Sequence, residues 1–193
     1  MTRWLSHRMV ERGIIKEEEQ ELYQFGIRNG MILLLNVVTA LVIGLLTEQL
    51  AVVAVFTLSF MVLRSYTGGY HSDSRIFCYL GSNLVLLVPV YTQAVFYKTS
   101  LACLLAVLLV SAGIIFLLSP MHSKNRKLDK EEQKHFGRKA RLIAVLELAV
   151  LGILWHAGQI PYAYAVYTGI CITALFMLVG KAQLWIQSHT ENG

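Results

Sequence analysis

Thirty-five residues separate Arg28 from Arg64, and Glu48 is the one charge among them. A membrane span needs about 17–25 predominantly apolar residues. The stretch is too long for one span, and Glu48-Gln49 offers a turn, so it predicts two short helices over 31–47 and 50–63. A re-entrant hairpin is the alternative for the second. Further along, a third span over 76–97 ends at Lys98 and a fourth over 101–119 ends at Ser119-Pro120. The apolar stretch 142–180 exceeds one helix, and Gly158 and Pro161 divide it into spans over 142–157 and 161–180. Lipid leaves backbone polar groups no water partners, so such segments must be helices. The expected fold is all-α: a polytopic membrane protein with six transmembrane helices.

Composition agrees. Hydrophobic residues make up 55% of the 193 and charged residues 15%, against about 25% charged in soluble domains. A soluble enzyme and a disordered chain are both excluded. The net charge of +5 is modest and its basic residues cluster in two short stretches, so no nucleic-acid partner is expected. Residues 1–30 carry too much charge for a signal peptide. Trp4, Leu5, Met9, Val10, Ile14 and Ile15 recur at roughly helical spacing, as in an amphipathic helix lying in the membrane interface. A solvated tail is the plainer reading. The expected organisation is one integral-membrane domain over 1–193, with an interfacial helix in 1–30, a six-span bundle in 31–180 and a tail in 181–193.

Orientation follows from Lys and Arg. The N-terminal segment holds five, the 64–75 loop two, the 122–141 loop eight and the C-terminus Lys181, sixteen in all, against Lys98 alone on the other side. Both termini and both polar loops are therefore expected in the cytoplasm of a plasma membrane. That compartment is reducing, and Cys78, Cys103 and Cys171 form no disulfide framework.

Only one segment places a histidine and a cysteine close together near a cytoplasmic span end. It reads Arg-Ser-Tyr-Thr-Gly-Gly-Tyr-His-Ser-Asp-Ser-Arg-Ile-Phe-Cys from Arg64 to Cys78. On one continuous helix His71 and Cys78 would share a face about 10 Å apart along the axis. A base must come within about 3 Å of its nucleophile or reach it through one water, so a working pair needs a break between them. Gly68-Gly69 permits a sharp turn before His71. Ser72, Asp73 or Ser74 could cap the third span. With Ser74 as cap, Cys78 falls near the first turn, where the helix dipole and a neighbouring imidazolium favour the thiolate.

Arg64, Gly69, His71 and Cys78, in this spacing, resemble the accessory gene regulator B family of membrane-embedded cysteine endopeptidases. The resemblance covers nearly the whole chain: amphipathic start, six spans, the Gly-Gly-Tyr-His segment and a basic loop opening with Ser119-Pro120. It implies an enzyme that processes a small signal propeptide of quorum sensing. Cys78 attacks a peptide bond, releases the C-terminal tail and keeps the acyl group as a thioester. An internal thiol or hydroxyl of the peptide then captures it as a thiolactone or lactone. His71 is implied as general base and then acid. Arg64 and Gly69 match positions associated with activity, Gly69 as a shaper of the turn and Arg64 as a holder of a carboxylate or lipid phosphate. Asp73 either orients His71 or caps a helix. Implied partners are a propeptide with an amphipathic N-terminus and an acidic tail, membrane lipid, and a second copy in a homodimer. No cofactor is implied.

Plainer readings stand beside these. Without the resemblance, Cys78 is more simply a small buried hydrophobe. A non-enzymatic transporter or assembly factor with structural His71 and Cys78 is the rival function. His71, Asp73 and Cys78 lack a fourth ligand and match no common zinc spacing, so no metal is expected. Lys124, Arg126, Lys127 and Lys130 either obey the positive-inside rule and touch anionic lipid or, by resemblance, hold the acidic tail. Glu147, inside the fifth span, is expected to pair with Arg141 or Arg138; a functional role is the alternative. Cys103 and Cys171 read as packing residues, His122 and His135 as solvated, and His156 as interfacial.

Overall fold

The computed structural model describes the backbone of residues 2–68, 75–121 and 130–190, and side chains there except at 2, 3, 29, 75–80, 130, 132 and 187–190. The described residues form helices and no strand. They group into two units, Met1–Thr39 and Ala40–Gly193.

In the first unit, α1 (Thr2–Glu11) is followed by a 3-10 turn at Glu17–Glu19 and the start of α2 (Gln20–Leu46). Gly13, at φ 65°, ends α1: its N–H donates to the Val10 carbonyl, and the Ile14 N–H reaches back to Met9 (both 2.9 Å). This is the Schellman arrangement, in which a left-handed residue lets two amides close over the last carbonyls. Trp4, Leu5 and Ile14 are exposed, and the Arg8 guanidinium lies over the Trp4 ring.

The second unit continues α2 and adds α3 (Leu50–Thr67), α4 (Arg75–Tyr91), α5 (Gln93–Lys98), α6 (Leu101–Leu118), α7 (Lys130–His156) and α8 (Ile160–Thr190). The Schellman closure recurs at both turns expected from the sequence. Glu48 (φ 56°) donates to Leu45 and Gln49 to Gly44, while Gly158 (φ 72°) donates to Trp155 and Gln159 to Leu154. The third expected span is divided. Pro89 lies inside α4, and α5 restarts after Thr92. Proline has no N–H for the helix ladder and crowds the preceding turn, which weakens the helix here.

α8 lies at the centre, packed on α3, α6 and α7, while α7 also touches α3. Between lipid-bathed helices there is no hydrophobic driving force. Close packing of small residues and interhelical hydrogen bonds take its place. The buried positions follow that rule: Ala163, Ala165, Thr168, Thr173 and Ala174 on α8, Ala140 and Ala144 on α7, Ser59 on α3 and Ser111 on α6. The Thr168 and Thr173 hydroxyls donate to carbonyls one turn back, Tyr164 and Gly169. Gly169 lies so near α3 that a Cβ there would meet Ser59 Oγ at 2.5 Å.

Four described helices are long and apolar enough to cross a membrane: Glu17–Leu46, Leu50–Thr67, Leu101–Leu118 and Ile160–Ile186. Three boundaries need correction. The first apolar helix begins at Gln20 and not at 31, so residues 20–30 belong to α2 and not to a separate N-terminal helix. The basic stretch 122–141 is not a loop throughout, because α7 runs unbroken from Lys130 into the fifth apolar stretch. Residues 130–136 are mostly good helix formers, and only Gly137 interrupts them. The last helix continues to Thr190 rather than ending near 180.

Candidate functional site

The end of α3 anchors the segment singled out by the sequence. Gly68 stops the helix at φ 70°, ψ −154°, a backbone region essentially reserved for glycine. Its carbonyl accepts 2.6 Å from Arg64 Nη1 and 3.3 Å from Thr67 Oγ1. The Arg64 guanidinium also lies over the Phe176 ring of α8, 5.2 Å from its centroid. Arg64 is thus a cation at a helix C-terminus that satisfies a carbonyl the helix cannot. Of the residues expected at the site, it is the one whose side-chain contacts are described.

A second chain segment closes on this end. After α6, Ser119-Pro120 leads to Met121, whose N–H donates to the Thr67 carbonyl at 2.9 Å. The Met121 carbonyl lies against Gly68, where a Cβ would stand 2.6 Å from it. α7 packs on the same place. Gly137 faces Pro120, with a Cβ there meeting Pro120 Cδ at 3.0 Å. Phe136 contacts the Tyr66 ring, Lys139 Nζ lies over that ring, and Arg141 Nε donates to the Phe116 carbonyl. Sequence reading missed Thr67, Met121 and Gly137, since their partners are distant in the chain; the Gly68-Gly69 pair was the only signal.

His71, Gly69, Asp73, Lys124, Arg126 and Lys127 lie outside the described residues. Cys78 is the fourth residue of α4 as described and Lys130 the first of α7; the side chains of both lie outside the described residues. Among the described residues, no cluster of three His, Cys, Asp or Glu could hold a metal.

Glu147 requires a correction. It accepts a 2.6 Å hydrogen bond from Ser59 on α3, and Arg141 is engaged with Phe116 instead. On α7, Glu147 stands one and a half turns beyond Arg141, and α3 presents a nearer donor. His135 is exposed. His156, the last residue of α7, borders a largely apolar cavity of about 290 Å³ with Phe96, Leu104, Trp155 and Tyr167.

The model of the family described as Accessory gene regulator B matches residues 1–178. Accessory gene regulator protein B of Staphylococcus intermedius is 26% identical over 156 residues, 79% of this chain and 80% of that protein. An AgrB-like protein 2 of Clostridium perfringens (strain 13 / Type A) is 24% identical over 131 residues, 65% of this chain. A second AgrB-like protein, from Clostridium perfringens (strain SM101 / Type A), is also 24% identical over 131 residues. The chain spans about 61% of the length of the two clostridial relatives. No solved structure matches.

Proposed function

The chain belongs to the accessory gene regulator B family, and from that premise we propose that it is a membrane cysteine endopeptidase acting on a quorum-sensing propeptide. His71 takes the proton from the Cys78 thiol, and the thiolate attacks the scissile carbonyl carbon. The peptide C–N bond breaks, and His71 returns the proton to the leaving amine. The C-terminal tail departs and the acyl group remains on Cys78 as a thioester. An internal thiol or hydroxyl of the peptide then attacks that carbonyl, closing a thiolactone or lactone and releasing Cys78. Lys124, Arg126, Lys127 and Lys130 hold an acidic tail by charge complementarity. Gly69 shapes the turn before His71, and Asp73 orients His71 or caps α4. The protein works as a homodimer.

The observation that carries this reading is the end of α3 at Gly68. α3 ends at Gly68, three residues before His71, in a backbone conformation open essentially to glycine, which supports a turn ahead of the pair. The decisive experiment mixes purified protein with propeptide at mildly acidic pH and quenches rapidly. A hydroxylamine-labile adduct of the propeptide minus its tail should map to Cys78 by mass spectrometry. An adduct elsewhere, or tail release with no adduct under single-turnover conditions, refutes the mechanism.

The same reading places six spans in the plasma membrane, with both termini, the 64–75 connection and the basic segment in the cytoplasm and α1 in the interface. Membrane-impermeant thiol reagents should label cysteines introduced at Glu48 or Lys98 in intact cells. Labelling of a cysteine introduced at Lys134 from outside would reverse the orientation.

A further inference from the structure

The two segments that the proposed reading assigns to cleavage and to tail docking are each preceded by a residue of one contact. Residue 69 follows Gly68 and residue 122 follows Met121, and these two roots touch. The Met121 N–H donates to the Thr67 carbonyl, and the Met121 carbonyl fills the space a Cβ on Gly68 would need. Arg64 fixes the Gly68 carbonyl from below, and Gly137 lets α7 lie against Pro120 from the side. Thr67 is fully buried. The Met121–Thr67 hydrogen bond joins backbone atoms and the approach to Gly68 leaves no room for a Cβ, while Arg64 adds a side-chain hydrogen bond, and packing this close resists displacement. The exposed cation Lys139 of α7 lies over Tyr66, the residue before Thr67.

We infer that Gly68 and the Met121 backbone form a joint coupling tail docking on the basic segment to cleavage at Cys78, with both residues positioning rather than catalytic. The inference rests on the proposed function. A tail held on the basic segment is thereby tied, through Met121, to the residue from which the catalytic segment starts. The joint therefore converts tail binding into orientation, and orientation is lost steeply with displacement.

Gly68→Ala, which adds a Cβ 2.6 Å from the Met121 carbonyl at a positive φ, strains the joint. Met121→Pro deletes the donated N–H. Gly137→Ala is the milder variant, because its Cβ would be tight only against Pro120 Cδ, at 3.0 Å, with Ser119 O at 3.5 Å and Pro120 N at 3.8 Å in ordinary contact. Gly113→Ala, in open space, is the control. Each protein in detergent is assayed on a propeptide with its acidic tail and on one whose tail acids are changed to amides. Wild type should turn over the acidic substrate faster, and neutralising Lys124, Arg126 and Lys127 together should raise KM for it alone. Met121→Pro should lower kcat about 100-fold on the acidic substrate, with KM within about twofold, and barely change the neutral one, whereas Gly68→Ala, at the turn before the catalytic segment, should lower kcat on both substrates and more steeply on the acidic one. Gly137→Ala should show the pattern of Met121→Pro more weakly, which covers a failure of Gly68→Ala to fold. Equal losses on both substrates, in variants that remain monodisperse, overturn the joint and leave the proposed function standing. Indifference of wild type to tail charge, or full processing by Cys78→Ala, overturns the reading beneath it.

Discussion

Cys78→Ala should abolish cleavage of the propeptide in a reconstituted assay, and Cys78→Ser should be nearly as inactive. The other thiols cannot substitute. Cys103 is the third residue of α6 and Cys171 lies within α8, both on apolar helices remote in sequence from the end of α3. A serine hydroxyl is a far weaker nucleophile than a thiolate, and a helix N-terminus does not ionise it. His71→Ala should also stop turnover while leaving a thiol that alkylates slowly, since the imidazole supplies proton transfer and not the sulfur itself. Loss of an activated nucleophile typically removes several orders of magnitude in rate, so residual product should fall to background. In wild type, iodoacetamide should modify Cys78 ahead of Cys103 and Cys171, and propeptide should protect it. Normal processing by Cys78→Ala would end the cysteine-peptidase assignment and restore the non-enzymatic membrane protein as the leading alternative.

The two short turns between apolar helices were the most legible part of the fold. Glu48-Gln49 announces itself as the one charged break in a 35-residue apolar stretch, and Gly158 because the left-handed position of a Schellman closure favours glycine. The interior of a lipid-facing bundle gives weaker signals, since both its buried and its lipid-facing residues are apolar. That is why the partner of Glu147 was misread. Sequence offers the arginines one to three turns away on the same helix, whereas the bundle offers Ser59 from a helix 88 residues earlier. The start of α7 at Lys130 was hidden by its charge, which looks like a loop in a membrane protein although its residues favour helix. At the candidate site, the spacing of Arg64, Gly69, His71 and Cys78 gave the family, which the match over 1–178 supports. It gave no hint of the Thr67–Met121 contact, because a backbone hydrogen bond leaves no residue-type signature.

Gly169→Ala should be among the most destabilising single-methyl changes in this chain. An added Cβ would stand 2.5 Å from Ser59 Oγ, 3.1 Å from its Cβ and 3.4 Å from the Phe60 nitrogen. The Ser59 hydroxyl cannot simply rotate away, because it donates to Glu147. Moving it would leave a carboxylate inside the bundle without that donor. The helices α3 and α8 must therefore separate, and overpacking of this kind costs about 1–3 kcal/mol. Ser59→Gly alone removes the hydrogen bond, worth about 0.6–1.7 kcal/mol between membrane helices. It also removes the two atoms an alanine at 169 would strike first. The Ser59→Gly/Gly169→Ala double variant should therefore be more stable than the sum of the single losses predicts, and more stable than Gly169→Ala alone. Unfolding midpoints in mixed detergent, measured for all four proteins, give the coupling directly. Strict additivity would mean that Gly169 does not face Ser59 in the membrane. A normal midpoint for Gly169→Ala would mean that α3 and α8 are not held at the close approach on which the position of Arg64, and hence of the Gly68 carbonyl, depends.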